Sequence, residues 1–518
     1  MTFSADAAIS PSSSATRKPW LAAMLIAAAS TATAQVAAQG VDHRAATIRL
    51  GYERIELPGN EGLGLVGTTY LMDIGSGFAL GPAAYGAITG QRGGLFTLGA
   101  ELAWRTRIAG PLELEAGYYV GGGGGGNAPV GGGLMVRPHA DLLWNFGRYK
   151  AGLSASQVRF ANGRIDSKQV GLVLSADTDF SFIHPRADGS LPAALGASGM
   201  GFDRIVPVVG AYFPPSGTAR VSGAPMGPRL YYVGARLERF MQRERSGASI
   251  APYWGIETAG AAGGGVAGYA EYLATLGAET SPWGPATTLG ARVAVGMGGC
   301  GDVSLGGGLL VKTSLYGAVK ISRNLSLGLE AGYAKAPDGE CKAPCASLNL
   351  NWALDTPGAA GGTSLASGPG PAVKTEWVVG VGTYRAARTD GSTRSLQNVV
   401  LKGNRFVADN VYVTAQAHSA YSGQAGGYTA GLVGAGYESP QWANFKVGAE
   451  LLVGAAGGGG VATGGGALVQ PMGYLSYKLG ESLTARVGLG RIRSNSGQLS
   501  SNVGEVLVAF PFGVSPRP

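Results

Sequence analysis

From residue 47 onward the chain alternates apolar and polar positions with a period of two. Over 95–105, Phe96, Leu98, Ala100, Leu102 and Trp104 share one face, and Thr97, Gly99, Glu101 and Arg105 the other. Over 112–120, Leu112, Leu114, Ala116, Tyr118 and Val120 oppose Glu113, Glu115, Gly117 and Tyr119. Over 134–146, Leu134, Val136, Pro138, Ala140, Leu142, Trp144 and Phe146 oppose Arg137, His139, Asp141 and Asn145. Successive side chains of a strand point to opposite faces, so each run predicts a strand with one apolar and one polar face. The runs exceed the roughly 5–6 residues usual for globular strands. Their charges sit at mid-strand, and Trp104, Trp144 and Phe146 lie near strand ends, where an interfacial aromatic girdle belongs.

The pattern recurs. Val120-Gly-Gly-Gly-Gly-Gly-Gly126 precedes Gly131-Gly-Gly-Leu-Met-Val136; Val295-Gly-Met-Gly-Gly-Cys300 precedes Gly306-Gly-Gly-Leu-Leu-Val311; Val453-Gly-Ala-Ala-Gly-Gly-Gly-Gly460 precedes Gly464-Gly-Gly-Ala-Leu-Val469. In all three, eleven positions separate the valine from the first glycine of the triplet. Fixed spacing of this kind marks internal repetition. Extending outward predicts repeats over 47–180, 204–353 and 375–514, each with eight strands, joined by Ala/Gly/Ser/Pro-rich linkers over 184–203 and 354–374. In the first repeat the strands are expected near 48–56, 63–72, 78–88, 95–106, 112–121, 133–146, 149–160 and 168–178. Gly117, Arg292 and Glu450 are equivalent, as are Arg137, Lys312 and Gln470. The framework repeats more faithfully than its polar face does.

The N-terminus changes the setting. Arg17 and Lys18 precede the apolar stretch Trp20–Ala29, and Ala32-Thr-Ala34 offers a cleavage site, so residues 1–34 read as a secretory signal peptide. No later apolar run is long enough for a spanning helix, so membrane crossing after processing must use strands. The 90 glycines far exceed the ~7% of average proteins, and glycine is a poor helix former. The formal charge of +8 is spread without a basic block, which suits anionic lipid headgroups and gives no reason to expect nucleic acid.

Ten-residue dyad strands in even number, behind a signal peptide, resemble bacterial outer-membrane β-barrel proteins. The resemblance spans most of the mature chain and implies an all-β transmembrane antiparallel barrel of about 24 strands, a Gram-negative outer membrane, and lipids, lipopolysaccharide and the barrel-assembly machinery as partners. Val506-Leu-Val-Ala-Phe-Pro-Phe512 resembles the aromatic C-terminal strand which that machinery recognises, departing from it at Pro511 and the tail Gly513–Pro518. Three tandem small barrels are the preferred arrangement and one large barrel the alternative, because the inner faces are rich in Gly, Ala and Ser. Short connections after strands four and six and longer ones after five and seven put the glycine-rich loops outside, mobile or tightly folded.

No catalytic motif, metal set or cofactor motif stands out. A barrel-interior polar network is expected from Glu101, Glu115, Arg137, His139, Asp141, Arg292, Lys312 and Glu450. Cys300, Cys341 and Cys345 fall in loops of one side, so a disulfide among them is geometrically reasonable in an oxidising compartment. His418 and Ser419 are adjacent and so point to opposite faces, which argues against a catalytic dyad. The function expected is a structural or surface-interaction role in the outer membrane. A pore or export channel through one wide barrel is the alternative, and a lipid-modifying enzyme a weaker one.

Overall fold

The computed structural model describes residues 41–186, 191, 202–241, 250–322, 324–353 and 372–514. Residues 1–34, expected to be a signal peptide, lie outside them, as do most of the two expected linkers. The described residues form twenty-four strands and no helix. In chain order these are β1 (Val41–Leu57), β2 (Glu61–Gly75), β3 (Phe78–Thr89), β4 (Phe96–Ala109), β5 (Leu112–Gly124), β6 (Met135–Asn145), β7 (Tyr149–Phe160) and β8 (Asp166–Ile183). Next come β9 (Arg204–Tyr212), β10 (Leu230–Phe240), β11 (Ala251–Gly263), β12 (Ala270–Thr280), β13 (Thr287–Gly299), β14 (Leu309–Lys320), β15 (Leu325–Lys335) and β16 (Lys342–Ala353). Last are β17 (Val373–Ala387), β18 (Thr393–Phe406), β19 (Val411–Ser422), β20 (Thr429–Glu438), β21 (Phe445–Gly457), β22 (Ala467–Gly480), β23 (Leu483–Ser494) and β24 (Ser500–Val514).

All pairings are antiparallel between chain neighbours, except where rings close. β9–β16 form a closed barrel. The other sixteen strands belong to one sheet, within which β8 pairs back to β1 and β24 pairs back to β17. The two halves of that sheet are linked by strand pairing at a single residue pair, Gly513 with Ile183. A wide ring of twenty-four strands is therefore not formed: β8 hands its hydrogen bonds to β1 and not to β9.

Along β1 the inward positions read Thr47, Arg49, Glu53, Ile55, Leu57, while Ile48, Leu50 and Tyr52 are exposed outside. Past Glu53 the pattern inverts, with Ile55 and Leu57 buried inside and Arg54 and Glu56 exposed. β7 and β8 show the same change, from exposed Leu153, Leu172 and Leu174 to exposed Arg159, Asp166 and Lys168. The inversion marks the end of an outer apolar belt. Beyond it each lumen is stoppered by apolar side chains: Ile55, Leu63, Leu65 and Phe160 in the first ring, Leu230, Val303 and Leu305 in the second, Leu396, Ile492 and Leu499 in the third. Burying each contributes about 1.5–3 kcal/mol. Inner faces rich in Gly, Ala and Ser with paired charges were expected; the large apolar side chains that also fill the lumens correct that expectation.

The glycine-rich loops pack tightly, and they pack between rings. In each ring the loop after the third strand meets the loop after the fifth strand of another. Gly93 N–H donates to Gly306 O at 2.9 Å, first ring to second, and Gly426 N–H to Gly131 O at 3.1 Å, third to first. Gly268 of the second ring lies against Gly458 of the third, where a Cβ would fall 2.7 Å from the Gly458 nitrogen. The contacts thus run first to second, second to third and third to first, a closed heterologous cycle. Backbone meets backbone here, so only glycine fits: a Cβ on Gly94 would lie 2.2 Å from Cys300 N, and one on Gly427 2.8 Å from Gly125 N. Below this collar Phe96 stacks on Tyr272 at 3.9 Å. At the opposite end Phe180, Trp377 and Phe512 pack together between the first and third rings.

Gly427 (φ +93°) and Gly59 (φ +88°) have the same backbone strain, but nothing lies within 4 Å of a Cβ on Gly59. Gly427→Ala is therefore expected to cost about 1–3 kcal/mol more than Gly59→Ala, from overpacking alone. Urea unfolding of the refolded chain measures this, and equal costs would show that the collar tolerates a side chain.

Candidate functional site in the barrel lumens

Inward positions of neighbouring strands bring the charged residues together. In the first ring Arg49 of β1 is the hub. It pairs closely with Glu101, donates to Glu115 Oε1 at 2.5 Å, and lies 3.5 Å from Asp141 Oδ2. Arg137 makes a two-pronged contact with Glu53 at 2.9 and 3.0 Å. His139 sits between Asp141 (Nδ1, 2.9 Å) and Glu101 (Nε2, 3.0 Å). It has room because Gly117 faces it, and a Cβ there would lie 2.2 Å from His139 Nε2.

In the second ring Arg292 and Arg236 share Glu330, Arg236 at 2.7 Å, and Lys312 bridges Glu257 and Glu271. Tyr212 and Tyr269 each donate to Glu271 Oε2 at 2.7 Å. In the third, Lys402 and Tyr412 both reach Glu450 at 2.6 Å, and Arg486 reaches Glu376 at 3.1 Å. Among the eight network residues named from the sequence, each is buried and each contacts an oppositely charged or polar lumen partner. The further lumen charges Arg236, Glu257, Glu271, Glu330, Glu376, Lys402 and Arg486 were not singled out, although every one lies at an inward position of its strand. Counting parity outward from the glycine anchors would have found them.

A second glycine signal was also missed. Gly90 and Gly94, Gly264 and Gly268, and Gly423 and Gly427 share one spacing in the loop after each third strand, and all have positive φ.

The cysteines correct an expectation. All three are free. Cys341 and Cys345 are buried in the stopper of the second ring, and Cys345 belongs to β16 and not to a loop. Cys300 takes the collar place of Gly125 and Gly458, its thiol reaching Gly94 O of the first ring at 3.1 Å. It faces away from the other two, which leaves it no disulfide partner. Burial pushes the Cys300 thiol above its usual range and Cys341 up to about 11, with the Glu271 carboxylate adding to the latter.

His139 has both ring nitrogens occupied by carboxylates and is 6% exposed, which leaves no nitrogen for a substrate. His418 is buried in the third lumen, while Ser419 points outward and donates to Gly122 O of the first ring at 2.7 Å. The two do not meet.

No protein-family model matches the chain, and no curated protein matches it in sequence. Among solved structures it is similar to the Pseudomonas aeruginosa outer membrane protein OpdK, at 11% identity over 91% of this chain and 99% of that one, with a TM-score of 0.23. It is similar to P. aeruginosa OccK2 (OpdF) in complex with glucuronate, at 14% identity over 92% and 100%, with a TM-score of 0.21. It is also similar to the P. aeruginosa ferric enterobactin receptor PfeA, at 10% identity over 92% and 82%, with a TM-score of 0.27.

Arg49→Leu would strand Glu101, Glu115 and Asp141 in the first lumen. Removing one partner of a buried ion pair costs about 3–5 kcal/mol, so a loss of that size is expected in urea unfolding, and a loss below ~1 kcal/mol would mean the lumen is wet. The raised thiols give a second check. At about pH 8.5, where a free thiol is half ionised, Cys300 and Cys341 are expected to stay mostly protonated and to resist iodoacetamide until the protein is unfolded. Prompt alkylation, read by mass, would contradict their burial.

Proposed function

We propose that this chain is an integral protein of a Gram-negative outer membrane, exported by its signal peptide, made of three narrow barrels, and serving as a structural or surface-interaction element. What supports this is the filling of each lumen. Paired charges cross the middle of each ring and an apolar stopper closes the long-loop end. Eight strands leave an interior just wide enough for side chains, so such a filling would leave no open path for solutes. The outer apolar belt of exposed Leu, Val and Tyr matches the lipid face of such barrels. The short turns, such as Gly110–Pro111 and Phe146–Arg148, would face the periplasm and the collar the exterior. Its partners would be outer-membrane lipids and lipopolysaccharide, with the barrel-assembly machinery acting during insertion.

The second reading is passage or binding of a solute. A cavity inside the first ring, lined by Arg49, Glu53, Thr69, Tyr85, Arg137 and Ser154, favours it. Under it, the outer membrane protein OpdK and the enterobactin receptor named above would be relatives in function as well as fold. A lipid-modifying reading would rest on His139, which is enclosed by carboxylates.

Single-channel recording of the refolded mature chain in a planar bilayer separates the first two. Insertion without steady current is expected. A steady conductance, abolished or altered by Arg137→Ala, would put a path through the first ring and replace the occluded reading.

A further inference from the structure

Among the described residues, every buried carboxylate but one lies within 4.0 Å of a lysine or arginine. The exception is Glu505 of β24, 3% exposed in the lumen of the third ring. Its oxygen takes hydrogen bonds from Gln416 Nε2 at 3.0 Å and Gln470 Nε2 at 3.3 Å, and His418 Nε2 stands 3.6 Å away. Lys402, the ammonium in this part of the lumen, is turned to Glu450. His418 Nε2 is also contacted by Gln416 Nε2, so it faces an amide as well as the carboxylate. An unpaired carboxylate in a dry interior is costly.

The groups around it are short of positive charge and rich in bare oxygens. Gln416 and Gln470 spend their N–H groups on Glu505, which leaves Gln416 Oε1 and Gln470 Oε1 buried without a partner. Asn398, 0% exposed, has neither amide atom partnered. Gly382 holds the space between them, since a Cβ there would fall 3.1 Å from Asn398 Nδ2 and 3.6 Å from Glu505 Cγ. The repeat explains the deficit. At the position of Gln470 the first ring has Arg137, paired with Glu53, and the second has Lys312, paired with Glu257 and Glu271. The third ring keeps a carboxylate but carries an amide where the cation stood.

We propose that Glu505, with Asn398, Gln416 and Gln470, forms a site for a small monovalent cation, sodium or potassium, in the lumen of the third ring. With the Gln416 and Gln470 amides turned so that their oxygens replace their N–H groups beside Glu505, one negative charge and neutral amide oxygens make a hard, all-oxygen donor set. A divalent ion ordinarily draws on more carboxylates than this site offers. The ion supplies the charge that Arg137 and Lys312 supply internally in the other rings. The inference concerns the lumen alone and stands whether or not the barrels conduct.

The mature chain is refolded into detergent micelles in sodium chloride, potassium chloride or choline chloride at equal ionic strength, and its unfolding temperature is measured. A rise of a few degrees in sodium or potassium over choline, growing with concentration, is expected, because a ligand of the native state stabilises it by mass action. Glu505→Gln is expected to fold and to lose that rise. Gln470→Lys restores the internal cation, and is expected to be as stable in choline as the parent is in sodium and to ignore the choice of salt. Equal unfolding temperatures for the parent in all three salts would mean that Glu505 is simply protonated and would overturn the site. So would a salt response that survives Gln470→Lys, which also decides the matter if Glu505→Gln does not fold.

Discussion

Closing eight strands into a ring leaves a lumen no wider than the side chains that enter it, and the rest of this structure follows from that narrowness. Water cannot solvate the inward charges, so they must solvate one another. Arg49 gathers Glu101, Glu115 and Asp141, Arg236 and Arg292 gather Glu330, and Lys402 holds Glu450. A buried ion pair contributes little net stability relative to an apolar filling, but breaking one is expensive. The networks therefore act chiefly to fix which side chain stands where. Gly117 shows how finely the space is divided, since its missing side chain is where His139 lies.

The second constraint is between rings. The outward faces of the strands offer mainly apolar side chains, and such contacts are weakly directional. The collar replaces them with backbone contact, made possible by glycines in the loops after the third and fifth strands of each ring. Because each ring gives one loop and receives another, the cycle closes after three and leaves no unmatched loop. Cys300 stands at positive φ (+66°) where the other two rings carry Gly125 and Gly458, and its thiol is accommodated against Gly94 of the first ring.

How much of this was legible in the chain differs by level. The strands of the first repeat were readable to within about three residues, apart from the start of β1 and the end of β8, which run seven and five residues further, because alternation along 96–104 and 134–144 leaves no other period. The inward face of β6 was readable for the same reason: Arg137, His139 and Asp141 follow strictly from parity. The stoppers were not, because Ile55 and Leu57 continue the inward side of a strand whose outward side had been apolar until Tyr52. A period of two says which residues share a face, but not at what height the outward face turns from apolar to polar. The cysteines were misjudged for a related reason, since a loop in sequence can fold back into a lumen or across to a neighbour.

By itself, then, the sequence determined the local order: strand positions, which side chains go inward, the eight-strand grouping marked by its glycine triplets, and the presence of charges on the inner face. These depend on near neighbours along the chain and on the fixed alternation of the β backbone. Only the tertiary structure decided which strand receives the free edge of β8, which carboxylate meets which cation, and that the glycine loops bind ring to ring. Those outcomes depend on contacts between residues hundreds of positions apart, such as Ser419 with Gly122 and Gly306 with Gly93. It also revealed that Glu505 is left without a lysine or arginine, because pairing is a property of the closed lumen and not of any strand within it.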